Sequence, residues 1–98
     1  MVHTIAATFK FKDKDKLRDF KDMMKSENGL MKTRTFEGCI SIECYDAGEN
    51  TIVIWQKWDS KNCHAEYFKM RTEEGLLDKV KESLREPLEV IHLENISV

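Results

Sequence analysis

Nothing in this 98-residue chain points to nucleic acid, membrane or metal. No long basic block occurs: 16 Lys and Arg are interleaved with 18 Asp and Glu, for a net charge of −2. The electrostatic footprint of a nucleic-acid binder is therefore missing. No run approaches the roughly 18 apolar residues of a membrane helix. The opening Met-Val-His-Thr-Ile lacks the charged-then-apolar pattern of a secretory signal, so a cytoplasmic location is expected. Cysteine is scarce and odd in number, and Cys39, Cys44 and Cys63 form no C-x-x-C pair, which excludes a zinc or redox motif. All three are expected to be free thiols, with Cys39 and Cys44 on opposite faces of a strand because their separation is odd. Cys63 stands beside His64, but adjacent helical residues do not face one another, so a thiolate nucleophile is disfavoured. Internal repeats and low-complexity segments are also absent.

What is present suits one domain over residues 1–98. Its 41% apolar content supplies a core but not a generous one, and a partner chain that buried further surface would help. Residues 2–11 alternate as a strand, with His3, Ile5, Ala7, Phe9 and Phe11 on one side. Asp13 is a candidate N-cap. From Lys14 to Lys25, Leu17, Phe20, Met23 and Met24 recur at helical spacing, and Asn28-Gly29 offers a left-handed exit. Gly38–Tyr45 reads as a second strand, with Ile40 and Ile42 on one face. A turn follows over Asp46–Asn50, then a third strand over Thr51–Trp58. Asp59 or Ser60 caps a helix to about Arg71. Gly75 interrupts, a helical piece runs over Leu76–Arg85, and Pro87 stops it before a last strand over Leu88–Ile96.

The order β-α-β-β-α-β predicts an α+β, ferredoxin-like fold with a four-stranded antiparallel sheet. The third strand is apolar on both sides, Ile52 and Ile54 against Val53 and Trp55. Two apolar faces imply two covered faces. Helices cover one. A second copy packing sheet to sheet, an isologous homodimer, covers the other.

The segment Ile52–Arg71 is where strand, helix and chemistry meet. Gln56 and Trp58 lead into a helix on which His64, Tyr67, Phe68 and Arg71 fall at i, i+3, i+4 and i+7, one stripe. That stripe suits a small aromatic or apolar ligand: Gln56, Trp58 and Phe68 to bind it, His64, Tyr67 and Arg71 to act on it. An imidazole titrates near neutrality and can take a phenolic proton, and Arg71 or Gln56 can hold the developing oxyanion. The competing reading has Tyr67 and Phe68 merely packing, while His64 and Arg71 reach solvent or a carboxylate. His92 on the last strand is a second candidate base and His3 a weaker one, both readily explained as structural.

Phe36-Glu37-Gly38-Cys39-Ile40-Ser41-Ile42-Glu43, followed by Gln56-x-Trp58-x-Ser60, resembles the antibiotic biosynthesis monooxygenase family of dimeric α+β barrels. The resemblance extends over nearly the whole chain. It implies a cofactor-independent monooxygenase oxidising a phenolic or quinol-type aromatic with dioxygen, without metal or flavin. Tyr67-x-x-x-Arg71-x-x-x-Gly75 resembles a sub-branch called quinol monooxygenases. Two positions depart from the family pattern: its usual His falls here on Tyr67, and its Glu on Gln56. The haem-degrading branch would need an Asn, a Trp and a His ligand near Ala7, Tyr67 and Leu77, so haem degradation is not expected. Substitution at the usual His position leaves a second hypothesis standing, a non-catalytic dimeric module that binds a small apolar ligand.

Overall fold

The computed structural model describes residues 2–98; Met1, which opens the N-terminal stretch considered above, lies outside them. The chain runs β1 (His3–Lys10), α1 (Lys14–Lys25), a wide turn Glu27–Met31 leading into the single-turn α2 (Lys32–Arg34), β2 (Cys39–Gly48), β3 (Thr51–Trp58), α3 (Lys61–Glu73), α4 (Leu76–Lys81) and β4 (Glu89–Leu93). The four strands form one antiparallel sheet in the order β2-β3-β1-β4. This is the ferredoxin-like plan that the strand and helix periodicities predict.

Local chemistry explains the boundaries. The Asp13 carboxylate accepts the Lys16 backbone N–H and starts α1. Of the two candidates before α3, Ser60 is the cap, its hydroxyl accepting from the Cys63 N–H. Gly75 takes a left-handed φ of 80° and separates α3 from α4.

Several expectations need correction. The hairpin turn is only Glu49-Asn50, with positive φ of 51° and 58°, and β2 runs on to Gly48. Two left-handed residues make the turn whose twist matches that of paired strands, so the ladder continues to its edge. The β2 register shifts between Cys39 and Ser41. That bulge resets the alternation, so Ile40 is exposed while Ile42 is buried. For the same reason Cys39, opposite Trp58, and Cys44, opposite Ile54, share the helix-facing side. Burial pushes both of these thiols up from the ordinary cysteine range. Gly29 is not a left-handed exit, since its φ is −93°. It is glycine because a Cβ there would lie 2.4 Å from the carbonyl oxygens of Met23 and Met24. Helix α4 ends at Lys81 because the chain beyond it is taken up by β1's end: Lys12 N–H donates to Ser83 O, and Arg85 N–H to Lys10 O. Strand β4 ends at Leu93, opposite Thr4, where β1 has almost run out of partners.

The core lies between the sheet and the helices. Phe9, Phe11, Ile42, Ile52 and Ile54 meet Phe20 and Met24 of α1 and Val80 of α4. A second cluster, Ile5, Trp58 and Tyr67, fills the α3 end. The other sheet face carries Tyr45, Val53, Trp55 and Ile91, related by register, with Trp55 41% and Ile91 42% exposed.

Candidate functional site

A cavity of about 90 Å³ lies between the two core clusters. All four strands give its floor, α1 and α4 an apolar wall of Phe20, Met23, Met24, Leu76, Leu77 and Val80, and α3 a mixed wall of His64, Tyr67, Phe68 and Arg71. The helical stripe does converge on one space, because α3 lies across the sheet with positions 64, 67, 68 and 71 inward. His64 and Arg71 do not reach out to solvent: they are 7% and 3% exposed.

Gln56 is the sheet's polar contribution. It is 9% exposed and lines the cavity from β3. Trp58 Nε1–H donates to its Oε1 at 2.9 Å. An indole nitrogen only donates, so the amide oxygen must face it and the NH₂ group must point away. Those two N–H groups have no partner among the described residues. No fully enclosed polar side-chain atom there is unpaired, so this nitrogen is not fully enclosed, and Gln56 is one of the residues that line the cavity. Trp58 itself is 0% exposed and does not line the cavity. Expected from the sequence as a substrate-binding residue, it sits behind Gln56, bonded to its amide oxygen and packing on Tyr67, with ring centroids 5.0 Å apart.

Arg71 is engaged on every side. Its Nε–H donates to the Tyr67 hydroxyl at 2.9 Å, Nη1 to Asn28 O at 2.8 Å and Glu74 at 3.3 Å, and Nη2 to Gly29 O at 2.9 Å and Thr33 Oγ1 at 3.1 Å. A guanidinium has five N–H donors, and all five are used. Arg71 thus clamps α3 to the Glu27–Arg34 segment, and the oxyanion role expected of it has no free donor. Tyr67 is held in the same net, its hydroxyl 2.7 Å from Thr33 Oγ1. Thr33 was not legible as a site residue; it sits in a one-turn helix with no periodic signal.

His64 has no hydrogen-bond partner among the described residues, yet it is not alone. His3 and His92 stand on the same sheet face, with ring centroids 6.5 and 6.0 Å from His64. They bond each other, His3 Nε2 to His92 Nδ1, at 2.9 Å. Desolvation, then His92 and His3, push His64 down to about 4. It is a neutral imidazole at pH 7, able to accept a proton but holding it weakly. Among the described residues no group of three His, Cys, Asp or Glu side chains is arranged to hold a metal ion, and no helix is long and apolar enough to cross a membrane.

Solved structures share this architecture. A conserved protein from Methanosarcina mazei Go1 superposes with a TM-score of 0.85 at 15% identity, covering 98% of this chain and 94% of that one. Rv0793 from Mycobacterium tuberculosis gives 0.81 at 22% identity, over 100% and 98%. A monooxygenase from the gene ActVA-Orf6 of Streptomyces coelicolor, in complex with the ligand Nanaomycin D, gives 0.76 at 13% identity, over 98% and 88%. Others are named antibiotic biosynthesis monooxygenases, one of them from Deinococcus radiodurans. The fold is that of the antibiotic biosynthesis monooxygenases. A dimeric ferredoxin-like protein from an uncultured marine organism shares it too. No protein-family model and no curated protein matches the sequence. At 14–16% identity, the likeness to antibiotic biosynthesis monooxygenases fixes the fold and leaves the chemistry to this chain's own residues.

Proposed function

We propose that the cavity binds a small, single-ring phenol, and that the protein oxidises it with dioxygen without metal or flavin. One observation carries this reading. Two polar side chains lining the pocket, His64 and Gln56, each at least nine-tenths buried, keep hydrogen-bonding atoms that have no partner among the described residues, whereas the polar groups of Thr33, Tyr67 and Arg71 on the same wall are bonded to one another. An acceptor and a pair of donors so placed fit one hydroxyl group. Size supports a single ring. The pocket holds about 90 Å³, whereas an apolar cavity that accepts benzene measures roughly 150 Å³. The flexible side chains of Met23, Met24 and Leu77 must yield for one ring, and a three-ring compound would not enter.

The chemistry requires a phenol with hydrogen on the carbon para to its hydroxyl. His64 accepts the phenolic proton and Gln56 Nε2–H donates to the oxygen left behind. The phenolate passes one electron to dioxygen. Phenoxyl and superoxide then combine at the para carbon to give a hydroperoxide. Loss of the para hydrogen as a proton, with cleavage of the O–O bond, leaves a quinone. One oxygen atom stays on the ring and the other departs as water. Tyr67, Phe68 and Arg71 shape the wall.

Two copies meeting through the open sheet face complete this reading. Trp55, Ile91, Tyr45 and Val53 are the surface such a partner would cover. The second reading, a dimer that binds its ligand without reacting, is favoured by the weak basicity of His64. Dioxygen uptake by metal-free protein with a panel of single-ring phenols unsubstituted at the para carbon separates the two. Turnover above the uncatalysed rate, reduced about 10²- to 10³-fold in Gln56→Leu and abolished in His64→Ala, supports the oxygenase. Saturable binding with no uptake across the panel supports the binding module.

A further inference from the structure

His64 is a poor place to leave a proton. A phenol of ordinary acidity lies near pKa 10 and His64 near 4. Direct transfer is uphill by about six units, roughly 8 kcal/mol. A site that ionises phenols through this imidazole needs an exit for the proton.

Two further histidines provide one. His64 is buried on the cavity wall, His3 is half-buried, and His92 is exposed, so the three rings grade from cavity to water. His3 and His92 come from neighbouring strands at one end of the sheet, where Ile5 stands opposite His92. They are joined by a 2.9 Å hydrogen bond. The centroid gaps of 6.0 and 6.5 Å from His64 are of a size that a single bridging water spans. Trp58, Tyr67 and Phe68 also pack around His64, with ring centroids 5.7, 6.4 and 5.8 Å away.

We propose that His64, His3 and His92 form a proton relay between the cavity and bulk water, with His64 at its inner end. The relay rests on the reading of the cavity as a phenol site. The phenol O–H bond breaks, and the proton passes to one ring nitrogen of His64. The other ring nitrogen releases its proton towards His3 and His92, and from there to solvent. No electron moves in these steps, and the phenolate stays bound to Gln56. The same path in reverse can return a proton when the peroxide O–O bond breaks.

The charges around the relay suit transit rather than storage. His3 is lowered by desolvation, by His92 and by Lys61 of α3, and His64 by desolvation and the other two rings. No carboxylate is among the groups that shift His3 or His64. His3 and His92 act through His64 and need not touch the ligand.

A test that needs no turnover uses 4-nitrophenol, whose ionisation is visible. Bound to wild-type protein and subjected to a pH jump, it should exchange its proton quickly. In the double variant His3→Gln/His92→Gln it should bind as tightly but exchange about 10²-fold more slowly, and added imidazole should restore the rate. Rescue by a soluble base is not expected if the two residues serve only the fold. Tight binding with an unchanged rate, or a slow rate that imidazole leaves slow, would overturn the relay. Absence of 4-nitrophenol binding to the wild type would overturn the phenol-site reading itself, and the relay with it.

Discussion

Replacing Arg71 tests whether this residue belongs to the fold or to the chemistry. Arg71 is 3% exposed and spends five N–H donors on Tyr67, Asn28, Glu74, Gly29 and Thr33. Arg71→Met keeps the length of the stem and removes every donor. Two backbone carbonyls of the Glu27–Met31 turn, a phenol and a threonine hydroxyl then lose partners, and Glu74 keeps only Lys32. Removing one member of a buried, charged hydrogen-bond network costs about 3–5 kcal/mol. Domains of this kind are stable by about 5–15 kcal/mol. At roughly 4–8 °C per kcal/mol, the melting temperature should fall by about 12–40 °C.

Arg71→Lys sharpens the test. It keeps the charge but has three donors, so at least two of the five bonds are lost, at about 1–3 kcal/mol for each buried acceptor left without another partner. Urea unfolding followed by tryptophan fluorescence and far-ultraviolet circular dichroism measures both variants. A loss below about 1 kcal/mol in Arg71→Met would refute the clamp. So would an Arg71→Lys protein of full stability that had lost all dioxygen uptake, since the guanidinium would then be acting on substrate.

Two further outcomes follow from particular residues. Because His64 is lowered from 6.5 to about 4, the unfolded chain binds the proton first as pH falls. Its contribution is therefore complete above pH 6.5 and is lost between 6.5 and 4, by at most about 3 kcal/mol and by roughly half that with solvent screening at the mouth. Urea midpoints across this range should show the slope in the wild type and a flatter one in His64→Leu; equal slopes would count against it. Trp55→Glu should convert a homodimer to monomer in sedimentation velocity, since a charge in a sheet-to-sheet interface is desolvated without a partner, whereas a monomeric wild type would remove the dimer from the proposal.

The plan of the fold was legible because each element carries its own period. Alternation in residues 2–11 and Thr51–Trp58, and the spacing of Leu17, Phe20 and Met24, need only local information. The errors arose where one residue breaks that periodicity. The Ile40 bulge turned two parity arguments over, one for Ile40 and Ile42 and one for the two cysteines. Gly29 looked like a left-handed stop because glycine serves two purposes, and the sequence does not say that carbonyls of α1 would crowd its Cα.

The site was legible in half, for a similar reason. His64, Tyr67, Phe68 and Arg71 lie on one helix, so their convergence follows from 3.6 residues per turn. What each of them does depends on partners far along the chain. Arg71 could stand for an oxyanion donor only while Asn28, Gly29 and Thr33 were unplaced. His3 and His92 are 89 positions apart, and each alone looks structural. A signal was nevertheless available. In a ferredoxin-like sheet the first and last strands are neighbours, and His3 shares parity with Ile5 as His92 does with Val90. Both rings therefore belong to the helix-facing side, and α3 supplies the third. Only the register, Ile5 opposite His92, was needed to bring them together. Residues whose function depends on register should be sought on adjacent strands of a confidently assigned sheet before they are set aside as structural.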